Sequence, residues 1–211
     1  MSYPLHRRNR GTQAQIDNNL IVDAPLNGTL TNLLGNQYTI VTEVGSVPEF
    51  VAEGGRQVYQ NIYSGQYNSR ALAIRENAII PAFVNYAMEF DFNLNSLTNN
   101  QAIIGIDSNG TQSGIKFRNA GSGLFSFVID ISKSGSVVNS SGNMALSANM
   151  WYHARFEIFQ NAGNVTINNQ TLSYTVTGLP ADFYFILGSQ RQSWGANPIM
   201  GKIKDLKIWK L

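Results

Sequence analysis

The sequence contains no cysteine. That removes a disulfide framework, a zinc–thiolate site and a thiol nucleophile in one step, so packing and hydrogen bonds must hold the fold. Charge is scarce too: Asp, Glu, Lys and Arg make up 13% of the chain, about half of the roughly 25% found in ordinary domains. Asn, Ser, Gly and Thr supply the polarity instead, which gives a hydrated but electrostatically quiet surface. A net charge of +2 is too small for a general nucleic-acid binder. No apolar run reaches the roughly 18 residues needed to cross a bilayer, so no membrane partner is expected. The opening stretch, from Met1 to Arg10, is charged but has no following apolar segment, so it does not read as a secretory signal. No segment keeps a 3.6-residue apolar period over two turns, and no helix is expected.

What is present is alternation. Met150 to Phe159 and Met200 to Leu211 switch between apolar and polar residues inside each run, and Gly or Asn punctuates between the runs. That is the pattern of antiparallel strands with one buried face. Tyr86-Ala-Met-Glu-Phe-Asp-Phe-Asn-Leu94 is equally regular: Met88, Phe90, Phe92 and Leu94 fall on one face, and Ala87, Glu89, Asp91 and Asn93 on the other. Further strands are expected at Tyr38–Thr42, Phe50–Val51, Ala71–Arg75, Ala102–Ile106, Gly114–Arg118, Leu124–Ile131 and Val165–Asn168. Val58 to Tyr67 reads as a hairpin or a long loop. At 211 residues the chain suits one all-β domain with an appendage, and folding at this length buries about 70% of the surface, ample for a core. The domain is expected from Pro25 to Leu211. Met1 to Ala24, with its Arg7, Arg8 and Arg10 cluster, reads as an extended N-terminal arm that makes no core of its own.

The order of the pieces carries a resemblance. Arg70-Ala-Leu-Ala-Ile, Ile79-Ile-Pro, Met88-Glu-Phe-Asp-Phe, Trp151-Tyr-His-Ala-Arg-Phe, Gly163-Asn-Val-Thr-Ile-Asn-Asn, Leu187-Gly-Ser and Gly201-Lys-Ile-Lys-Asp-Leu-Lys-Ile-Trp together resemble the concanavalin A-like lectin/glucanase superfamily, in its laminin-G-like and pentraxin-like branch. The resemblance covers Pro25 to Leu211. It implies a two-sheet antiparallel jelly-roll sandwich in which the last strand lies beside the Met88 strand. Glu89 and Asp91 would then face Lys202, Lys204 or Lys207 across the pair.

Each candidate site has a plainer reading beside it. Glucanases of the superfamily carry Glu-x-Asp-x-Glu on one strand, with the nucleophile and the general acid about 7 Å apart. Here Glu89 and Asp91 are followed by Asn93, so the carboxylate pair is broken and no enzyme is expected. Asp107-Ser-Asn109-Gly-Thr resembles half of a calcium loop but is also an ordinary hairpin turn, and no metal or other cofactor is assigned. His153 has no serine and carboxylate arranged around it at strand spacing, so it takes a packing or surface role. Trp151 and Trp209 are expected as core or sheet-face aromatics. Trp194 lies in a polar loop with Arg191 and Asn197, where it would either stack on a sugar or partner, or fold back to plug the end of the sandwich. Tyr59, Tyr63 and Tyr67 offer the same two readings. Arg7, Arg8 and Arg10 are expected to anchor the arm on a neighbouring protein; they lack the interleaved aromatics of a nucleic-acid site.

These features lead to a non-catalytic structural or adhesion component of a bacteriophage particle. It would be a decoration, fibre or accessory protein that displays a lectin-like jelly roll and is tethered by its arm within an oligomeric assembly. Its partners would be other virion proteins, with host surface polysaccharide as a further ligand, and its place would be the particle surface. A free-standing extracellular carbohydrate-binding module is the alternative, and a glycoside hydrolase the third.

Overall fold

The computed structural model describes residues 19–35, 38–42, 47–61, 72–76, 85–97, 101–107, 114–121, 123–131, 136–139, 143–159, 162–175, 184–188 and 199–211. Among them there is no helix. There are sixteen strands: β1 (Leu20–Ala24), β2 (Tyr38–Thr42), β3 (Phe50–Glu53), β4 (Arg56–Asn61), β5 (Leu72–Glu76), β6 (Tyr86–Leu94), β7 (Ala102–Asp107), β8 (Gly114–Gly121), β9 (Leu124–Ile131), β10 (Ser136–Asn139), β11 (Met144–Ala145), β12 (Trp151–Ile158), β13 (Ala162–Ile167), β14 (Gln170–Thr175), β15 (Tyr184–Leu187) and β16 (Gly201–Lys210).

They form two antiparallel sheets that pack as a β-sandwich of jelly-roll type. The first runs β14-β13-β12-β6-β16-β4-β3, with β1 also on β16; the second runs β10-β9-β8-β7-β15-β5-β2, with β11 on β9. The last strand lies beside β6, as the resemblance implies. Alternation sends Met88, Phe90, Phe92 and Leu94 of β6, Phe156 and Ile158 of β12, and Ile203, Leu206 and Ile208 of β16 into one core. Tyr38, Ile40, Leu72, Ile74, Phe125 and Leu187 of the second sheet join the same core. Along it, Phe156 stacks on Phe90 with ring centroids 5.6 Å apart, and Phe92 stacks on Tyr152 at 5.5 Å.

One boundary differs from the sequence expectation. Leu20–Ala24, placed with the arm on polarity, is strand β1, paired with Trp209, Ile208, Lys207 and Leu206 of β16. Val22 and Ala24 are fully buried. The five-residue run has only two core positions in β1, too few to stand out from a polar neighbourhood. Its free side is served by Asn32, whose amide accepts from the Asp23 N–H at 3.0 Å and donates to the Ile21 carbonyl at 3.1 Å.

The long strand β16 serves two neighbours on one edge: Gly201 to Ile203 pair with β4, and Leu206 to Trp209 pair with β1. At the handover Asp205 takes a left-handed φ of 56°, and the register with β6 shifts between Lys204 and Lys207. Asp and Asn tolerate this conformation better than most non-glycine residues. The Arg56 guanidinium closes the junction. It donates to both Asp205 oxygens at 3.0 and 2.9 Å, and to the Pro25 carbonyl at 2.8 Å.

Candidate functional site: the polar face of the first sheet

With one set of alternating residues in the core, the other set on β12, β6 and β16 forms an outward face. Trp151, Asn93 and Lys202 make one rung across the three strands; His153, Asp91 and Lys204 the next; Arg155, Glu89 and Lys207 the third; Glu157, Ala87 and Trp209 the fourth. Rungs of one face lie about 7 Å apart along a strand. On β13 and β14 the face continues without charge, through hydrogen bonds of Ser173 with Asn164 at 2.8 Å and of Thr166 with Thr171 at 2.9 Å.

At the first rung, the half-buried Trp151 has its edge fixed by its indole N–H, which donates to Glu53 at 2.8 Å. The same carboxylate is bonded by the Lys202 ammonium. That ammonium holds the Glu53 carboxyl below its ordinary value; burial pushes the other way, and the Trp151 N–H and the charge of Lys204 add to the lowering. The Lys204 ammonium lies 4.3 Å from the Trp151 ring centroid, a cation–π contact. Lys204 also meets Asp91 at 3.6 Å, and the other Asp91 oxygen lies 2.9 Å from His153 Nδ1. In the third rung Arg155 bonds both Glu89 and Glu157, and its guanidinium lies 5.8 Å from the Trp209 ring. Burial pulls the Arg155 pKa down, but its bonds to Glu89 and Glu157 outweigh that and raise it.

The expected facing of charges therefore holds for both carboxylates, Asp91 with Lys204 and Glu89 with Lys207, while the contact that Glu89 makes lies elsewhere. Lys207 is opposite it in register, yet the ion pair of Glu89 is with Arg155 from the other flank. A guanidinium reaches two carboxylates at once with its planar fork. Lys202 pairs with Glu53, which arrives from the β3–β4 hairpin.

Asn93 is the odd member of the face. It is 5% exposed, and its Oδ1 is buried with no hydrogen-bond partner. The neighbouring carboxylates are each engaged by a cation, so Glu89 and Asp91 are not arranged as a free acid and nucleophile. Among the described residues, no group of three or more His, Asp or Glu side chains could hold a metal ion.

Trp194, Arg191, Asn197, Tyr63 and Tyr67 lie outside the described residues, as do Arg7, Arg8 and Arg10 and the turn after Asp107. The described ends of the two stretches that carry the loop aromatics are tied together. Asn61, fully buried, donates from Nδ2 to the Gly188 carbonyl at 2.8 Å, and the Ile199 N–H donates to the same carbonyl at 2.9 Å. Gly188 has φ +83°, and a Cβ there would meet Asn61 Nδ2 at 2.5 Å, so only glycine fits. Tyr59 takes the packing alternative: it is fully buried, edge-on to Phe50 at 5.6 Å, and burial pushes its phenol pKa up.

Trp151, Asn93 and Glu53 were not singled out as a set by sequence. The signal available was phase: Ala154, Phe156 and Ile158 are buried, which puts Trp151 in step with His153, Arg155 and Glu157 on the polar side.

Two packed antiparallel sheets, with no helix among the described residues, define a class of β-sandwich domain, and solved structures share it. Domain 4 of AbnA, a GH43 extracellular arabinanase from Geobacillus stearothermophilus solved with arabinotriose, is 18% identical with a TM-score of 0.66, over 90% of this chain and 92% of that one. Botulinum neurotoxin type C, which depends on interaction with two ganglioside molecules to get into cells, is 14% identical with a TM-score of 0.64, over 94% of this chain and 50% of that one. The binding domain of botulinum neurotoxin DC in complex with SialylT is 15% identical with a TM-score of 0.64, over 93% and 49%. The chain thus spans about half the length of the neurotoxin chains. No curated protein matches it. The chain belongs to the SO2946-like family, whose C-terminal domain profile matches residues 28–183.

Proposed function

We propose that this protein is a non-catalytic, lectin-like module that holds carbohydrate on the polar face of its first sheet, and that it is displayed on a phage particle through its N-terminal arm. The observation that carries the binding reading is the Trp151 rung. A half-buried indole with its N–H fixed by Glu53 and the Lys204 ammonium against its ring stands on the polar side of the sheet, where an aromatic group and nearby hydrogen-bonding groups suit a sugar ring. Similarity to domains solved with arabinotriose and SialylT supports the same reading. The ion pairs that occupy Glu89 and Asp91 support binding without hydrolysis, because a glycosidase needs one carboxyl free to give a proton and a second to attack or activate water.

Glycan-array screening of the wild type, Trp151→Ala and Trp194→Ala tests the binding reading. Specific binding that is lost with either tryptophan supports it and says which surface is used; silence of the wild type across a broad array overturns it. Display on a virion is supported by the arm with Arg7, Arg8 and Arg10 and by the lack of cysteine. Sedimentation with purified phage particles tests that part: the full chain should travel with them, and a variant lacking residues 1–18 should stay in the supernatant. A full chain that never sediments with particles leaves a free extracellular module.

A further inference from the structure

The first rung says more about the ligand than that it is a carbohydrate. The face carries four carboxylates, Glu53, Glu89, Asp91 and Glu157, and four cations, Lys202, Lys204, Arg155 and Lys207. All but Lys207 are engaged with one another on the protein. At the first rung, two rungs away from Lys207, an anionic sugar would have to displace a carboxylate from a cation that already holds one, and would meet the remaining carboxylates at close range. Such a site gains little from a charged ligand. Toward β13 and β14 the face offers only amide and hydroxyl groups.

On the first rung, where every charge is paired, one buried group lacks its bond. Asn93 Oδ1 lies beneath the surface, with Trp151 and Lys202 as its cross-strand neighbours. A buried acceptor without a donor costs about 1–3 kcal/mol, and native proteins leave few of them. The missing partner is a donor, and a sugar hydroxyl is a neutral one. Resting on the carbohydrate-binding reading above, we infer that the ligand of this face is a neutral glycan, one of whose hydroxyl groups donates to Asn93 Oδ1 beside the Trp151 ring.

The test is equilibrium binding of the full chain to immobilised polysaccharides. Arabinan, xylan, mannan and a β-1,3-glucan form the neutral panel; polygalacturonate, hyaluronan and polysialic acid form the anionic one. The expected result is binding to at least one neutral polymer, with a Kd that changes less than about twofold between about 50 and 500 mM NaCl. Asn93→Leu should weaken that binding by about tenfold or more, because a hydroxyl loses its acceptor. Its Tm should stay at or above that of the wild type, since the substitution removes an unpaired polar atom. Should Asn93→Leu fail to fold, Trp151→Ala on the same rung decides, with the same loss expected. Neutral binding that survives both substitutions overturns the site. Binding confined to the anionic panel and suppressed by salt overturns the ligand class but leaves a carbohydrate-binding module. No binding to either panel overturns both.

Discussion

The stacked pair Phe90 and Phe156 is a place where packing at the centre of the sandwich can be measured. Phe90 lies opposite Ala154 in the β6–β12 register, and Phe156 lies two residues further along β12. The small Ala154 leaves room for the Phe90 ring to lean diagonally onto Phe156. The rings are parallel within 4° at 5.6 Å, and the side chains are 0% and 1% exposed. Replacing either with Leu keeps an apolar side chain but trades a ring for a smaller branched group, at a cost on the order of 1–2 kcal/mol. In a domain of this size each kcal/mol lowers Tm by about 2–4 °C. Beyond area burial, a stacked pair contributes about 0.5–1.5 kcal/mol. Either single substitution already forfeits that stacking term, so Phe90→Leu/Phe156→Leu should cost less than the sum of the singles by about that amount. Urea unfolding followed by tryptophan fluorescence, with the m-value unchanged across the four proteins, measures it. Additivity to within about 0.3 kcal/mol, or a double variant worse than the sum, would refute ring stacking as the source of coupling.

Three further outcomes follow from the same geometry. Gly201→Ala would place a Cβ 2.1 Å from the Asn93 backbone oxygen; parting β16 from β6 there should cost about 3 kcal/mol or more, and a thermal melt matching the wild type would refute so close an approach. Because the Glu53 carboxyl is held below its ordinary value, its contribution is present above that value and lost as pH falls through the lowered one. Glu53→Gln should therefore be less stable at neutral pH and show a flatter acid limb when urea midpoints are compared between about pH 3 and 7. Arg56→Lys keeps the charge but cannot span both Asp205 oxygens and the Pro25 carbonyl. Both partners of the pair are partly exposed, so the loss should be only about 1 kcal/mol, seen as faster amide exchange in β1.

Much of the sandwich was legible because its central strands are long and strictly alternating. β6, β12, β13 and β16 announce their core faces, and opposite charges on β6 and β16 announce that they are neighbours. What stayed hidden has local causes. β1 is short and embedded in polar sequence. The β3–β4 hairpin sends Glu53 to Lys202 and Trp151, a contact set by sheet order rather than by spacing. The left-handed Asp205 shifts the β16 register by a step that period-two reading does not foresee. The candidate site was half legible: the alternation of β12 sets the phase of Trp151, but the orphaned Asn93 oxygen is a property of the packed rung. In sequence Asn93 looked like the loss of a carboxylate, whereas in the fold it is a buried acceptor facing a sheet surface.

The antiparallel pairing of β1 with β16 also has a mechanical consequence. Leu20 pairs with Trp209, and the Lys210 N–H donates to the Asn19 carbonyl, so the chain comes in and goes out at the same corner. A pull between that incoming segment and the end of β16 acts across the ladder, not along it, and opens its hydrogen bonds one at a time. β1 would peel like a zip, carrying Val22 and Ala24 out of the core, while the β12, β6 and β16 rungs that form the polar face remain paired. If a partner grips the incoming segment while the face holds a ligand, the link between them behaves as a soft coupling that lets go before the binding face is distorted.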